Sequence, residues 1–412
     1  MKLAYLVSQY PATSHTFIRR EVEALREQGV AVETFSIRPP SEAERTSASD
    51  RGEYERTWYV LPPRPAAVLR AHLRQARKRP GRYVQTLRNA LAHRVPGARA
   101  VLWAGFHFAE AVALADELEQ RGVDHLHNHF ANSGANVGFL ASTLLGIDWS
   151  LTLHGISEFD YPAGQLLAEK IVAARFVACV THFGRAQALR MVDPAEWDKL
   201  FVSRCGLDLA DFRTKAAGPG VVPKKTHPQR VLSVGRLSPE KGHVGLVEAF
   251  AHAVSMGVDA ELRFVGDGPE RERIEARVTA LGLQERVSFA GRVPATQVAQ
   301  EFLHADVFAM SSFMEGLPVV IMEALAMEVP VVAPAVAGIP ELIEHEVSGL
   351  LFPPSDWTKL GVCLATLCRD RERAATMARE GRQRVEAEFA IQEAIKPLLQ
   401  RFVMTGIAPE TD

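Results

Sequence analysis

The chain has 412 residues, of which 47% are hydrophobic and 23% charged, with a formal net charge of -2 at pH 7. This composition is typical of a globular protein, and the length favours two domains over one. The near-neutral charge gives no reason to expect nucleic acid as a partner. The four cysteines form no CxxC pair, so we expect reduced thiols in a cytoplasmic protein.

The first half alternates short apolar strands with longer helical segments. The N-terminal KLAYLVS predicts a strand, because its apolar run is too short for a signal peptide or a membrane span. A helix is predicted over residues 14–28. The strands VAVETFSI, HLHNHF, WSLTLHG, FVACVT and LFVSRCG follow. This alternation predicts a parallel sheet with crossover helices.

One segment of the first half is strongly basic. Residues 56–109 contain eleven Lys or Arg and no Asp or Glu. Within them, residues 64–95 predict two helices separated by Pro80 and Gly81, each with one apolar face. Two interpretations remain open: a helical insertion with a solvated basic face, or a surface that binds an anionic membrane. No nucleic-acid-binding module is recognisable.

The second half repeats the alternation after a predicted linker. Residues 215–228, KAAGPGVVPKKTHP, are rich in Gly, Pro and Lys, as interdomain linkers are. Beyond them, apolar strands again alternate with helices, and a helical region closes the chain. We therefore predict two Rossmann-like α/β domains, residues 1–214 and 229–385, with a helix in 386–412 packing back toward the first. Ligands of such folds bind at the carboxyl ends of strands, so the cleft between the domains is the expected active site.

Two segments of the second half carry residues suited to a phosphorylated ligand. SVGRLSPEKG places Gly235, Arg236 and Lys241 after a strand, and forked Arg with compact Lys suits a diphosphate. SSFMEGLPVVIMEALA leads into an apolar helix whose free N–H groups favour anions. Glu323 within this helix needs nearby donors, which two ribose hydroxyls would supply. Glu315, in the preceding loop, could accept from a sugar hydroxyl.

These segments, with FVGDGPERERIE, FAGRV and VPVVAPAVAGIPELIEHEVSGLLFPP, resemble the retaining GT-B glycosyltransferases of family 4, also called group 1. In the first half, SQYPATSHTFIRREVEALREQGVAVETFSI and HLHNHFANSGANVGFLASTLLGIDWSLTLHGISEF resemble the bacterial exopolysaccharide branch, which is similar to colanic-acid-type transferases. The resemblance implies a GT-B fold and transfer of a sugar from a UDP- or GDP-sugar to a saccharide acceptor. A polyprenyl-diphosphate-linked acceptor at the inner face of the plasma membrane is expected, as is a peripheral membrane contact through residues 64–95.

The resemblance also implies roles for individual residues. Arg236 and Lys241 would bind the donor diphosphate, and His154, in TLHG, would approach the donor sugar across the cleft. The expected catalytic residues are His154, Arg236, Lys241 and Glu315. The expected donor site comprises Gly235, Arg236, Lys241, Gly266, Gly291, Arg292, Val293, Glu315, Gly316, Leu317 and Glu323, with Gly291 to Val293 near the base.

The chain departs from the family pattern in the donor loop. Pro318 stands where relatives carry glycine, and proline has no N–H, so Gly316 and Leu317 are the expected backbone donors. Downstream, Glu328 stands at a helix end often held by glycine, and Ala337 replaces one glycine of a pair.

A second departure follows His154. The branch often carries an aspartate three positions later, where this chain has Ser157. Glu158 and Asp160 are the expected substitutes facing the acceptor.

The histidines of HLHNHF raise the question of a metal. His125, His127 and His129 alternate and would project from one face of a strand, but no carboxylate pattern supports a metal site, so we expect structural roles. No Asp-x-Asp motif is present. We therefore expect no metal and no cofactor, with cations and a helix N-terminus neutralising the leaving diphosphate.

Two alternatives to transfer remain open. A sugar-nucleotide epimerase of the same fold would act on the donor alone. A non-catalytic sugar-nucleotide-binding protein would bind without turnover. The joint presence of Arg236, Lys241, Glu315 and Glu323 argues against the second alternative.

Overall fold

A computed structural model describes residues 2–12, 15–44, 47–92, 94–212 and 228–407. The chain divides into two compact units, residues 1–205 with 394–412 and residues 206–393. The predicted linker falls almost wholly on residues 213–227, outside the described residues. Each unit contains one parallel sheet with helices, which confirms the predicted α/β class.

The strands and helices of the described residues are as follows. The strands are β1 (Lys2–Gln9), β2 (Ala31–Arg38), β3 (Trp58–Tyr59), β4 (His125–His129), β5 (Asp148–Leu153), β6 (Val177–Cys179), β7 (Leu200–Val202), β8 (Gln229–Val234), β9 (Ala260–Val265), β10 (Val287–Phe289), β11 (Val307–Ala309), β12 (Val331–Pro334) and β13 (Leu350–Phe352). The helices are α1 (Thr16–Glu27), α2 (Ala48–Arg56), α3 (Pro65–Lys78), α4 (Pro80–Ala92), α5 (Ala98–Arg121), α6 (Ser133–Leu145), α7 (Ile156–Phe159), α8 (Pro162–Gln165), α9 (Leu167–Ala173), α10 (His182–Leu189), α11 (His243–Ser255), α12 (Arg271–Ala280), α13 (Ala295–Leu303), α14 (Val319–Ala326), α15 (Ile339–Leu342), α16 (Trp357–Arg369), α17 (Arg371–Glu388), α18 (Ile391–Ala394) and α19 (Lys396–Met404).

The sheet of the first unit has the order β3-β2-β1-β4-β5-β6-β7, with every neighbouring pair parallel. Its interior strand β1 is buried from Leu3 to Val7, because helices cover both faces of such a sheet. The last helix, α19, belongs to this unit, and the ring of its Phe402 lies 5.5 Å from that of Phe176. The predicted helix over residues 14–28 is α1, whose buried stripe includes Ile18, Val22 and Leu25.

The basic segment forms two helices, as predicted, which pack with a third helix, α5. The predicted break at Pro80 and Gly81 is sharper than expected, because α4 begins at Pro80 itself, where a missing N–H costs nothing. His72 Nδ1 lies 2.7 Å from the Tyr83 hydroxyl, and both rings contact the buried ring of Phe108 on α5. The segment is therefore a packed helical layer rather than a loose extension.

The sheet of the second unit has the order β10-β9-β8-β11-β12-β13 and is also parallel throughout. Its order reverses between β8 and β11, so loops after these strands meet at the topological switch point. The two substitutions at glycine positions have a visible backbone consequence: Glu328 and Ala337 have φ values of 52° and 47°. Glu328 follows α14 in a left-handed helix end, where the N–H of Val329 donates to Ala324 O (2.9 Å).

Candidate functional site

Three glycines bring the loops after β8, β9 and β10 into contact. The N–H of Gly235 donates to Val265 O (2.9 Å), and that of Gly266 donates to Gly291 O (2.8 Å). Gly266 has φ 134°, and a Cβ there would lie 1.9 Å from Gly235 O. Only glycine permits this approach of two backbones, so these residues set the shape of the sheet edge.

The loop after β8 is also tied to the loop after β11. Ser311 Oγ donates to Lys241 O (2.9 Å), and the N–H of Phe313 donates to Glu240 O (2.9 Å). Gly242, between them, has φ 63°, and a Cβ there would lie 2.3 Å from Ser311 O. The loop that carries Lys241 and the loop that carries Glu315 are thereby held together.

The centre of this edge is an ion pair between two predicted site residues. Lys241 Nζ donates to Glu315 Oε1 (2.6 Å), and Ser312 Oγ donates to the same oxygen (2.6 Å). Glu315 is buried, whereas Lys241 is half-buried. Among the described residues no donor contacts Glu315 Oε2. The second carboxylate oxygen and the two other Lys241 protons are thus available to a ligand.

Two arginines at the same edge make no side-chain hydrogen bond or ion pair in the described part of the chain. Arg236 follows β8, Arg292 follows β10, and both are exposed. Val293, next to Arg292, is half-buried. Guanidinium groups that make no hydrogen bond to the described protein remain available to an anionic ligand.

The start of α14 offers further donors. The helix begins at Val319, and Pro318 is its N-cap rather than its first residue. The N–H groups of Gly316, Leu317, Val319 and Val320 donate to no group in residues 228–407, whereas the N–H of Ile321 already donates to Pro318 O (3.0 Å). The missing N–H of Pro318 therefore interrupts a row of free donors without abolishing it.

Glu323 lies in the second turn of α14. It is half-buried, while its neighbours Met322 and Ala324 are fully buried. Its position on the more accessible side of an otherwise buried helix is compatible with the ribose role, which stays a prediction.

In the first unit, both ring nitrogens of His154 point toward protein atoms. Its Nε2 lies 2.9 Å from His129 Nδ1, and its Nδ1 lies 3.9 Å from Cys205 Sγ. Burial and the neighbouring His129 hold the pKa of His154 well below its usual value, so the ring is neutral at pH 7. A sugar hydroxyl could reach Nδ1 only by replacing the weak contact with Cys205.

Glu158 is placed differently from the expectation that it faces an acceptor. Its carboxylate is buried and accepts from the N–H groups of Ala131 (2.6 Å), His154 (2.6 Å) and Gly155 (2.8 Å). Burial raises its pKa to about 7, although these bonds oppose the shift. Asp160 is exposed, and the side chain of Ser157 lies outside the described residues. Glu158 therefore fixes the backbone around His154.

Lys170, which the sequence did not single out, completes this arrangement. Its buried Nζ donates to the carbonyls of Gln165 (2.6 Å), Asn132 (3.3 Å) and Ala131. Burial lowers its pKa to about 7. A lysine between the apolar Leu167 and Ile171 could have suggested a buried cation with fixed partners.

The three histidines of β4 form a buried hydrogen-bonded ladder. His125 Nε2 and His127 Nδ1 lie 2.6 and 2.7 Å from Ser150 Oγ, and His127 Nε2 lies 2.8 Å from Thr152 Oγ1. His129 Nε2 lies 3.2 Å from Glu21 Oε1 at an angle outside hydrogen-bond geometry. Burial lowers the pKa of His125 to about 3 and holds the pKa of His127 well below its usual value.

One group in this ladder has metal-ligand spacing. Ligand atoms of Glu21, His127 and His129 lie within 4.8 Å of one another. Both ring nitrogens of His127 are already hydrogen-bonded to hydroxyls. The expectation of structural histidines stays a prediction.

The first unit also contains a cavity that the sequence did not indicate. Its volume is about 480 Å³, and it lies where β1 and β2 end, beside the start of α6 and the first turns of α5. Its polar lining includes Gln9, Arg38, His107, Glu110 and Asn136. Among the described residues, the side chains of Arg38, His107, Glu110 and Asn136 make no hydrogen bond. A polar cavity at the carboxyl edge of a parallel sheet is a ligand-site candidate.

Comparisons with known proteins bear on both units. Residues 218–384 match the family profile described as glycosyl transferases group 1. The chain is 28% identical to the amylovoran biosynthesis glycosyltransferase AmsK of Erwinia amylovora, over 97% of this chain and 98% of the relative. It is 30% identical to TuaC, a glycosyltransferase assigned to teichuronic acid biosynthesis in Bacillus subtilis, over 72% of this chain and 77% of the relative.

A solved structure supports the fold. Anabaena HepE in complex with UDP has a TM-score of 0.72 and 18% identity, covering 98% of this chain and all of the other. This likeness confirms the predicted GT-B fold. Relatives named for amylovoran and colanic acid biosynthesis, which match nearly the whole chain, agree with the predicted exopolysaccharide branch.

Proposed function

Since the chain belongs to the glycosyl transferases of group 1, we propose that it moves a hexose from a UDP- or GDP-sugar to a saccharide acceptor in polysaccharide biosynthesis, with retention of anomeric configuration as in family 4. The observation that carries the proposal is the Lys241–Glu315 ion pair (2.6 Å). It is accompanied by Arg236, whose side chain makes no hydrogen bond to the described residues, and by the free amides of Gly316 and Leu317. Cationic and N–H donors surround one carboxylate that still has a free oxygen.

This arrangement assigns a different part of the donor to each group. Arg236 and Lys241 attract the diphosphate, and the free N–H groups at the start of α14 donate to its oxygens. Glu315 Oε2 accepts from a hydroxyl of the transferred sugar, and Glu323 accepts from the ribose. The loop of Gly291, Arg292 and Val293 contacts the base.

Front-face substitution with retention fits the state of Glu315. Its Oε1 already accepts from Lys241 and Ser312, which weakens the carboxylate as a nucleophile or base. We propose that the bond from the anomeric carbon to phosphate breaks as the acceptor oxygen bonds to the same face. The acceptor proton passes to the departing phosphate oxygen, whose charge Arg236 and Lys241 stabilise.

The reaction is proposed to need no metal ion. The positive side chains and amides at the sheet edge supply the charge that a divalent cation supplies elsewhere. Activity retained in excess EDTA would support this point. Loss of activity that added Mg²⁺ or Mn²⁺ restores would reject it.

The acceptor is proposed to be polyprenyl-diphosphate-linked and to bind in the first unit. The cavity beside α5 offers Arg38 for an anionic group and Glu110 and Asn136 for sugar hydroxyls. This places the enzyme on the cytoplasmic side of the plasma membrane, where lipid-linked acceptors and nucleotide sugars meet.

Incubation with single UDP- and GDP-sugars, with and without a lipid-linked acceptor, tests the function. Release of nucleoside diphosphate that requires the acceptor supports transfer, and NMR of the product reports its anomeric configuration. A new sugar nucleotide formed without acceptor would indicate epimerisation instead. Binding of the donor without turnover would indicate a non-catalytic protein.

A further inference from the structure

The layer formed by α3, α4 and α5 exposes an unusual amount of apolar surface. Seventeen large hydrophobic side chains are exposed among the described residues, and eight of them lie within residues 69–106. These eight are Leu69, Leu73, Val84, Leu91, Val101, Leu102, Trp103 and Phe106. Such a concentration in one layer marks an interaction surface rather than the scattered exposure of ordinary proteins.

The first turns of α5 carry the densest part of this surface. Within residues 98–106 only Ala104 is buried, while Leu102 is 67% and Phe106 60% exposed. The helix is long and apolar enough to cross a membrane by length and composition, but its later turns bury Ala111, Val112 and Leu114 in the core. Only the first turns of α5 are therefore free to enter a membrane.

The charges of the layer differ from the basic face expected from the sequence. Arg74 pairs with Asp116, and Lys78 and Arg79 pair with Glu119, at 2.5 to 3.1 Å. These three cations hold α3 against α5 and do not form a free patch. Part of the basic face expected from the sequence is therefore neutralised by acidic residues of α5.

Other cations of the layer remain available. Arg64, Arg70, Arg77, Arg88 and Arg99 are exposed, and none has an acidic partner among the described residues. No Asp or Glu occurs between residues 57 and 109 to offset them. The layer thus combines protruding apolar side chains with unpaired arginines, the combination that suits an anionic lipid surface.

We propose that the α3–α5 layer docks on an anionic lipid bilayer. The first turns of α5 insert Leu102 and Phe106 below the headgroups, and Trp103 lies at the interface, the depth that indole favours. The unpaired arginines contact lipid phosphates. Trp103 also lines the cavity beside α5, so docking brings that cavity to the membrane; its use by a lipid-linked acceptor rests on the proposed function.

Flotation of the full-length protein with vesicles tests the docking. Vesicles of phosphatidylcholine with phosphatidylglycerol should carry the protein upward at physiological ionic strength, and pure phosphatidylcholine vesicles should carry much less. The double variant Leu102→Ser/Phe106→Ser should reduce the bound fraction about tenfold. Val172→Ser/Met404→Ser removes two exposed apolar side chains elsewhere on the same unit and should bind as the wild type does.

A second pair of variants tests the contribution of the exposed arginines to vesicle binding. Arg77→Gln/Arg88→Gln should weaken binding to the anionic vesicles and reduce its dependence on salt. Arg51→Gln/Arg190→Gln, which removes two exposed arginines outside the layer, is the matched control. Because every substituted side chain is exposed, circular dichroism melting should show all four variants folded.

Two results would overturn the proposal. One is that wild-type protein mixed with anionic vesicles stays at the bottom of the flotation gradient. The other is Leu102→Ser/Phe106→Ser protein that floats like the wild type. Concentration-dependent dimerisation that this variant abolishes, without vesicle binding, would assign the surface to a second copy of the chain instead. Nucleotide binding in the same preparations is a separate readout, and its absence would count against the proposed function alone.

Discussion

Nζ of Lys241 lies 2.6 Å from Oε1 of Glu315, although the two residues stand 74 positions apart in the chain. The pair joins the loop after β8 to the loop after β11 at the switch point of the second sheet. It neutralises one carboxylate oxygen and leaves the other free, so the carboxylate is oriented before any ligand arrives.

The substitution Glu315→Gln tests this orientation. The amide would keep an acceptor oxygen but lose the charge that holds Lys241, so we expect kcat to fall about 100-fold. Nucleoside diphosphate release under saturating donor measures the effect. Glu240→Gln, at a neighbouring carboxylate that bonds Ser238, should leave kcat within about twofold. Equal effects of the two variants would remove Glu315 from the proposed site.

Replacing Glu323 by Ala tests the proposed ribose contact. A charged hydrogen bond to two hydroxyls predicts a loss of about 10- to 100-fold in nucleotide affinity, measured by isothermal titration with UDP and GDP. Glu328→Gly, five positions later at a residue with φ 52°, is the control. That variant should bind nucleotide normally and melt slightly higher, because glycine relieves the left-handed backbone. An unchanged affinity for Glu323→Ala would refute the ribose role.

Gly266→Ala should destabilise the second unit. The new Cβ would lie 1.9 Å from Gly235 O, so two backbones must separate, at a cost of about 2–4 kcal/mol in unfolding free energy. Gly257 also has a positive φ, 86°, but a Cβ there would meet no atom within 4 Å. Gly257→Ala should therefore cost only about 1–2 kcal/mol in unfolding free energy. Urea denaturation measures both, and a smaller loss for Gly266→Ala would contradict the close approach.

Glu158→Gln should disturb the backbone position of His154 while leaving the imidazole itself unchanged. An amide can replace only part of a carboxylate that accepts from three N–H groups, so we expect about 1–3 kcal/mol lower unfolding free energy. If His154 contacts the donor sugar, as the family resemblance implies, kcat should fall while donor affinity is retained. Glu169→Gln, on the surface of α9, is the matched control. Stability equal to that of the wild type would show that the buried carboxylate is not needed there.

Stability should fall as the solution is acidified below pH 6.5, in part because of His125. Its pKa is lowered to about 3 in the folded chain, so between about pH 6.5 and 3 the unfolded chain binds a proton that the folded chain does not. Each such histidine removes up to about 1.4 kcal/mol per pH unit in this range. His125→Leu should reduce the loss between pH 6 and 5 by about 1 kcal/mol, measured by chemical denaturation at both pH values. An unchanged slope would contradict a buried neutral His125.

The sequence by itself determined the class of fold, the family and the residues at one sheet edge. Strand-helix alternation predicts parallel sheets because each crossover helix returns the chain to the end of the sheet where the previous strand began. Motifs such as GRLSPEKG lie immediately after strands. Gly235, Arg236, Lys241 and Glu315 therefore came from local pattern and family resemblance. Their position relative to the sheet follows from chain direction, which a sequence records.

Only the tertiary structure decided which of these groups are paired. Lys241 and Glu315 neutralise each other, whereas Arg236 makes no hydrogen bond or ion pair among the described residues, and no spacing along the chain distinguishes the two cations. Glu158 turned inward because three N–H groups converge on it. In the same way, Asp116 and Glu119 on α5 neutralise cations of α3, leaving the apolar first turns of α5 exposed. Pairing depends on distances between residues remote in sequence, and those distances exist only once the chain has folded.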